Sequence, residues 1–286
     1  MKAIKFAAVV LSAVMMFTAC GKTNNSTVAV ITREDGSGTR STFTEMFEIT
    51  AKGDDGTVTD NTTLEATVAN QTEVVITNVS GNKNAIGYIS LGSLNDTVKA
   101  VNIDGVSADT TNVKSGEYKA AREFFIATQK SDVRNQISED FINFILSAEG
   151  QAVVGKSYIT VSDNAAPYAG EKPAGKITVA GSSSVYPVME KLKEAYLAVN
   201  PNAEIEIQMS DSSSGLSNAT EGLCDIAMSS RKLKDAELEK LDPTTIAIDA
   251  IVVIVNKENE VSNLTSDEIN GIFTGKITDW SVTRQD

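Results

Sequence analysis

A chain of 286 residues with 41% hydrophobic content can bury one large core or two medium ones. Its 38 aspartates and glutamates against 25 lysines and arginines give a formal charge of -13, which argues against a nucleic-acid binder and favours a solvated monomer. With no histidine and only Cys20 and Cys224 as cysteines, Ser-His-Asp and Cys-His catalysis, imidazole acid–base chemistry and histidine or thiolate metal sites are removed.

The chain opens with Lys2 and Lys5, an apolar run over residues 7–17 and small residues before Cys20. This reads as an export signal, residues 1–19, cleaved because the run is too short to span a membrane. The FTAC sequence ending at Cys20 resembles a lipobox, in which Cys20 becomes the lipidated first residue and residues 20–26 a polar tether. An ordinary secretory signal with a chance cysteine is the alternative. Removing residues 1–19 takes away Lys2 and Lys5 and no acid, leaving a net charge of -15. Cys224, left without a disulfide partner, reads as a small buried apolar side chain.

The β-branched run 28–32 predicts a strand, and residues 39–51 a helix with Phe43, Met46 and Phe47 on one face. Residues 54–61 read as an exposed loop. A helical region follows over about 131–155, with Phe141, Ile145 and Val153 as core. Residues 161–176 hold Asp163, Asn164, Pro167, Gly170, Pro173 and Gly175, the composition of a linker or surface loop. Beyond them come a strand at 177–180, a helix at 185–199 with Met189, Leu192, Tyr196 and Val199 inward, and a strand at 204–209. Thr265 with Glu268 three residues on predicts a capping box opening a helix that carries Ile269 and Ile272. The alternation of short strands and helices predicts an α/β fold with substantially parallel strands.

Three of these strands run into a Gly/Ser loop that opens a helix: GSSS at 181–184, SDSSSG at 210–215 and REDGSGT at 33–39. Such junctions present unpaired backbone N–H groups and the positive end of a helix dipole at the carboxyl edge of a sheet, where an anion binds. Singly, each loop is most simply a turn or N-cap, and Arg33 a surface partner of Glu34 or Asp35. Together, with Arg33 supplying a planar charged fork, they favour a small oxyanion. A P-loop is absent, and GSGTRS at 36–41 lacks the last glycine of a dinucleotide fingerprint.

ITVAGSSSVYPVMEKLKEAY, SSSG, CDIAMSSRKL, IAIDAIVVIVN and LTSDEINGIFTGKITDW in the second half, with ITREDGSGTRSTF, AIGYISL and FFIAT in the first, resemble the phosphate-binding proteins of Pst-type ABC transporters. The family order runs from GSSSVYP through TDW to REDGSGTR and AIGYISL, whereas here REDGSGTR comes first. The chain is therefore expected to be a circular permutant joined through 161–176, a truncated piece of a tandem protein being the rival account. The resemblance implies a two-lobed periplasmic-binding-protein-like clamp (type II), with residues 27–127 plus 250–286 as a discontinuous lobe and 128–249 as a continuous one. Crossing strands near FFIAT and IAIDAIVV would form the hinge.

Carried over by motif, Arg33, Ser37, Gly38, Thr39, Ser183, Ser184 and Ser212 would contact phosphate, Asp35 would orient Arg33, and Asp225 would support the neighbouring strand. Ser230 stands where some relatives have an aspartate that accepts the proton of hydrogen phosphate, so discrimination against sulfate should be weaker here. The resemblance implies no catalytic residue, cofactor or metal. Its implied partners are inorganic phosphate, an ABC permease complex and the membrane through a lipid anchor. The remaining readings are another tetrahedral oxyanion (sulfate, molybdate or tungstate), a phosphate-sensing lipoprotein, and an exported phosphatase, for which the serine clusters offer no general base.

Overall fold

The computed structural model of the protein describes residues 26–54, 56–130 and 135–283. The export signal, Cys20 and most of the tether lie outside the described residues.

Strand β1 (Ala29–Arg33) leads into helix α1 (Gly38–Met46). Phe43 and Phe47 are buried, but Met46 is 37% exposed, because the helix ends there and turns its last residue outward. The expected loop at 54–61 carries a strand: β2 (Thr50–Lys52) and β3 (Val58–Asp60) form an exposed antiparallel hairpin. Strand β4 (Thr67–Ala69), helix α2 (Thr72–Gly81) and strand β5 (Ala85–Ser90) follow, both strands parallel to β1. All six residues of β5 are buried, as a strand covered on both faces requires.

After β6 (Val98–Ala100) and β7 (Asn102–Ile103) comes α3 (Thr110–Ser115), started by Asp109, whose carboxylate accepts from Thr111 N and Asn112 N, and stopped by left-handed Gly116. The long β8 (Ala121–Gln129) then enters the other half of the molecule.

There the single expected helical region is two helices, α4 (Gln136–Leu146) and α5 (Ala148–Val154). Ser147 makes the break: its hydroxyl donates to Phe144 O at 2.7 Å and accepts from Gly150 N at 3.2 Å, ending one helix and capping the next. The chain continues as β9 (Gly175–Ser182), α6 (Tyr186–Val199), β10 (Ala203–Ser210), α7 (Ser212–Thr220), β11 (Ile226–Ser229) and the short α8 (Asp235–Leu238). The 16-residue β12 (Leu241–Asn256) returns, followed by β13 (Asn263–Leu264) against β7 and by α9 (Ser266–Phe273), which opens on the Thr265–Glu268 capping box.

One sheet has the order β10-β9-β11-β8-β12-β5-β1-β4, with β6 also on β12. Residues 241–250 of β12 pair antiparallel with β8, and residues 251–256 pair with β5 and β6. From Phe125 on, β8 also pairs with β11. Separate apolar clusters flank this seam. One holds Phe43 stacked on Tyr88 (3.9 Å between ring centroids), with Phe273 and Trp280; another holds Phe124, Phe141, Phe144, Met189, Leu192 and Tyr196.

Of the expected 161–176 linker, residues 161–174 are irregular, as the composition predicts, while 175–176 already open β9, and the segment is firmly held. Asp140 is 6% exposed and accepts from Tyr168 OH (2.6 Å), Tyr196 OH (2.7 Å) and Glu171 N (3.2 Å). Ala148 N donates to Ala166 O, Tyr168 N to Glu149, and Asn200 Nδ2 to Pro173 O. The α7 helix lies so close to β9 that a Cβ on Gly215 would sit 2.6 Å from Gly181 Cα and 2.7 Å from Ala180 O.

Two stability predictions follow from these contacts. Asp140→Ala leaves two phenols, the buried Tyr196 and the part-buried Tyr168, and a backbone N–H without their acceptor and should cost about 2–4 kcal/mol in urea unfolding. Gly215→Ala gains about 1 kcal/mol of helix propensity, but the clash is with backbone and cannot relax cheaply. The net effect should be a loss of about 1–3 kcal/mol, and a stabilised variant would show that the two elements can separate.

Candidate functional site

The three Gly/Ser loops meet where β1, β9 and β10 end, and the hydroxyls in them divide into capping and inward-facing sets. Ser37 is the N-cap of α1, its Oγ accepting from Arg40 N at 3.3 Å. Asp211 caps α7 through Ser214 N (2.9 Å) and Ser214 Oγ (2.6 Å). Helix α6 begins without a side-chain cap and with proline in its first turn, so Ser183 and Ser184 are not consumed by capping.

What remains faces inward as a ring of buried hydroxyls drawn from both sides of the seam. Thr39 Oγ1 lies 2.7 Å from Ser184 Oγ and 3.4 Å from Ser230 Oγ. Ser182 Oγ donates to Ser230 Oγ at 3.0 Å, and Ser212 Oγ lies 3.3 Å from Ser230 Oγ while accepting from Ser230 N. Thr72, at the first turn of α2, brings its backbone N–H to Ser183 Oγ and its hydroxyl to 3.3 Å from both Ser183 and Ser184. Sequence reading missed Thr72, because the strand–helix junction before it (Asn70, Gln71) has no Gly/Ser signature.

Arg33, 2% exposed, ends β1 and donates from Nη2 to Ser183 Oγ at 3.0 Å. The expectation that Asp35 orients it is corrected. Glu34 grips the guanidinium in a fork, at 2.8 Å from Nε and 2.7 Å from Nη2, while Asp35 is 95% exposed and pairs with Arg40. The chain turns at Gly36, which carries the Asp35 side chain out to solvent. Tyr88 OH steadies the same strand end, accepting from Arg33 N at 3.2 Å. Asp225 lies apart from the ring and accepts from Thr178 N on β9. Cys224 is a buried free cysteine, its thiol pushed up by burial to about 11.

A second buried arginine was also missed. Arg122 on β8 stands directly opposite Asp249 on β12, with Nε 3.0 Å from Oδ2, and its Nη1 donates to Thr39 Oγ1 at 2.8 Å. The pattern of β8 and β12 could have revealed it: an arginine and an aspartate on two largely apolar strands are costly to bury unless they pair. Arg231, next to Ser230, turns to Glu237 in a two-pronged pair at 2.8 Å and to Ser213.

Glycine lets the two sides touch. Ser213 N donates to Gly36 O at 3.2 Å, and a Cβ on Gly38 would meet Ser212 Oγ at 2.5 Å and Ser230 Oγ at 2.8 Å. Among the described residues, no hydrogen bond within the ring runs to a carboxylate, since Glu34 and Asp249 are engaged by arginines. A site of hydroxyl, amide and guanidinium donors suits an oxyanion and supplies no general base.

A family model described as a PBP superfamily domain matches residues 17–149 and 166–285. The chain is 48% identical over 259 residues to phosphate-binding protein PstS 2 of Streptococcus agalactiae, covering 90% of this chain and 88% of that one. It is similar to phosphate-binding protein PstS of Bacillus subtilis at 31% identity over 140 residues, 48% of this chain and 46% of the relative. The crystal structure of a phosphate ABC transporter phosphate-binding protein from Streptococcus pneumoniae matches with TM-score 0.70 and 43% identity, over 90% of this chain and 99% of that one. An α/β sheet whose parallel strands end at a ring of buried anion-type donors, with similarity of this extent, means that the chain belongs to the PBP superfamily and, within it, to the PstS family.

Proposed function

We propose that this protein binds inorganic phosphate outside the cytoplasm and delivers it to an ABC importer, without catalysing a reaction. The observation that carries this reading is Arg33, a buried cation aimed through Ser183 into a ring of hydroxyls that offers no carboxylate. Arg33, Gly38, Thr39, Ser183, Ser184, Ser212 and Ser230 form the phosphate site in this reading, with Thr72 added, Ser37 contributing through the helix it caps, and Glu34 in the orienting role.

We further propose a lipid anchor at Cys20, a monomer, and a circular permutation of the family order through 161–176. The match to the B. subtilis protein covers about half of this chain while that to the S. agalactiae protein covers nearly all of it, which supports a segment order shared with the latter. The lobes are then residues 27–127 plus 250–286 and residues 128–249, with β8 and β12 as the hinge. Closure about such a hinge, selected by contacts to the anion, would create the surface an importer reads.

Calorimetry on the purified protein tests the ligand. Phosphate should bind saturably, more tightly as pH rises through its second ionisation, because guanidinium and hydroxyl donors favour the dianion. Sulfate should bind more weakly with no such pH dependence, and sulfate binding tighter than phosphate at neutral pH would overturn the assignment. Ser230→Asp should widen the gap between the two anions by adding charge repulsion against sulfate. Gly38→Ala, which wedges a methyl group between Thr39's loop and Ser212, should weaken phosphate binding about tenfold or more, about 1.4 kcal/mol.

A further inference from the structure

Resting on the phosphate reading, we infer that Arg122 is a second cation that contacts the bound anion, and that Asp249 is the residue that positions it. Arg122 lies on a hinge strand, outside every Gly/Ser loop, and is only 6% exposed. Its guanidinium is divided between two tasks. The Nε edge belongs to Asp249, whose other oxygen accepts from Ser90 Oγ at 2.7 Å, and Phe124 lies beneath the cation at 5.0 Å from ring centroid to Cζ. The Nη1 edge points into the hydroxyl ring, donating to Thr39 Oγ1 at 2.8 Å and reaching Ser230 O at 3.4 Å. Nη2 lies 2.9 Å from Asp249 Oδ2 in the same ion pair but makes no well-aligned hydrogen bond.

Arg33 reaches the ring from the Ser183 side and Arg122 from the Thr39 side, so two buried cations converge on one set of hydroxyls. They lie near enough that Arg33 disfavours the charge on Arg122, as does burial, against the pull of Asp249. The other titratable group facing Arg122 is Tyr158, whose phenol burial keeps protonated. Convergence of like charges in a buried site is unfavourable alone and becomes favourable around a dianion. An arginine serving only to lock β8 to β12 would need Asp249 and nothing beyond it. The Nη1 contact with Thr39, a member of the hydroxyl ring on neither of these two strands, is what that simpler role leaves unexplained.

The test is phosphate calorimetry on wild type, Arg122→Lys and the double variant Arg122→Met/Asp249→Asn, which removes both charges together and so leaves no unpaired buried ion. Thermal unfolding without phosphate checks that each is folded. If wild type fails to bind phosphate, the phosphate reading falls and this inference with it. If wild type binds, Arg122→Lys should lose about tenfold in affinity and the double variant about a hundredfold or more. The double variant should also show a flatter rise of affinity across the second ionisation of phosphate, which a purely structural arginine would not change. A folded double variant with wild-type affinity and pH profile would overturn the inference while leaving the phosphate reading intact. Should the double variant not fold, Arg122→Lys alone decides: wild-type affinity with an unchanged pH profile overturns it.

Discussion

The antiparallel pairing of β8 with the first part of β12 is the constraint on which the molecule depends. A 16-residue strand cannot leave its backbone groups unpaired in a buried sheet, so β12 must find partners along its whole length. It finds β8 up to Ala250 and β5 and β6 from Ile251 on. Because the partners change along one strand, the sheet on either side belongs to a different apolar cluster, yet both clusters are fastened to the same backbone. Everything that converges on the hydroxyl ring arrives there because this seam holds the ends of β1 and β9 opposite each other.

The ring also shows how a site can be charged and buried without carrying a large net charge. Each buried guanidinium would cost several kcal/mol to desolvate alone, and each has a carboxylate along one edge, Glu34 for Arg33 and Asp249 for Arg122. The donors on the other edges stay directed inward. Between them lie side chains that can donate or accept by rotating a single O–H bond, so the ring satisfies itself when its members meet one another and can turn its protons toward an acceptor without moving heavy atoms. In the proposed role, such preorganisation would let an acidic protein hold an anion: local dipoles act in a low dielectric, and the distant surface charge is screened.

Much of this was legible in the sequence because it lay in local patterns. The strand–loop–helix junctions at 33–39, 181–184 and 210–215 carry their own signature in glycine, serine and β-branched residues, and the Thr265–Glu268 box specifies its helix by hydrogen bonds three residues apart. What escaped depends on the third dimension. Thr72 sits at an ordinary helix start and matters only because α2 lies beside Ser183. Arg122 and Asp249 are more than a hundred residues apart and are joined only by strand register. The choice between Glu34 and Asp35 rested on which neighbour points inward, and an alternation of one residue decided it. The division at Ser147 was hidden because both flanking segments are good helix formers.

The bare backbone at Gly36 and Gly38 has a consequence for which molecules can occupy the site. Where the loop after β1 meets the loop before α7, the two sides are separated by little more than a hydrogen bond, from Ser213 N to Gly36 O. Donors reach the ring from both sides, and at this joint the two backbones are in direct contact. An ester whose organic part lay at this joint would have to hold it open and so forgo the contacts across it. The absence of two Cβ atoms thus sets how closely the two sides can approach, and in the proposed role that closeness would favour a free tetrahedral anion over its esters.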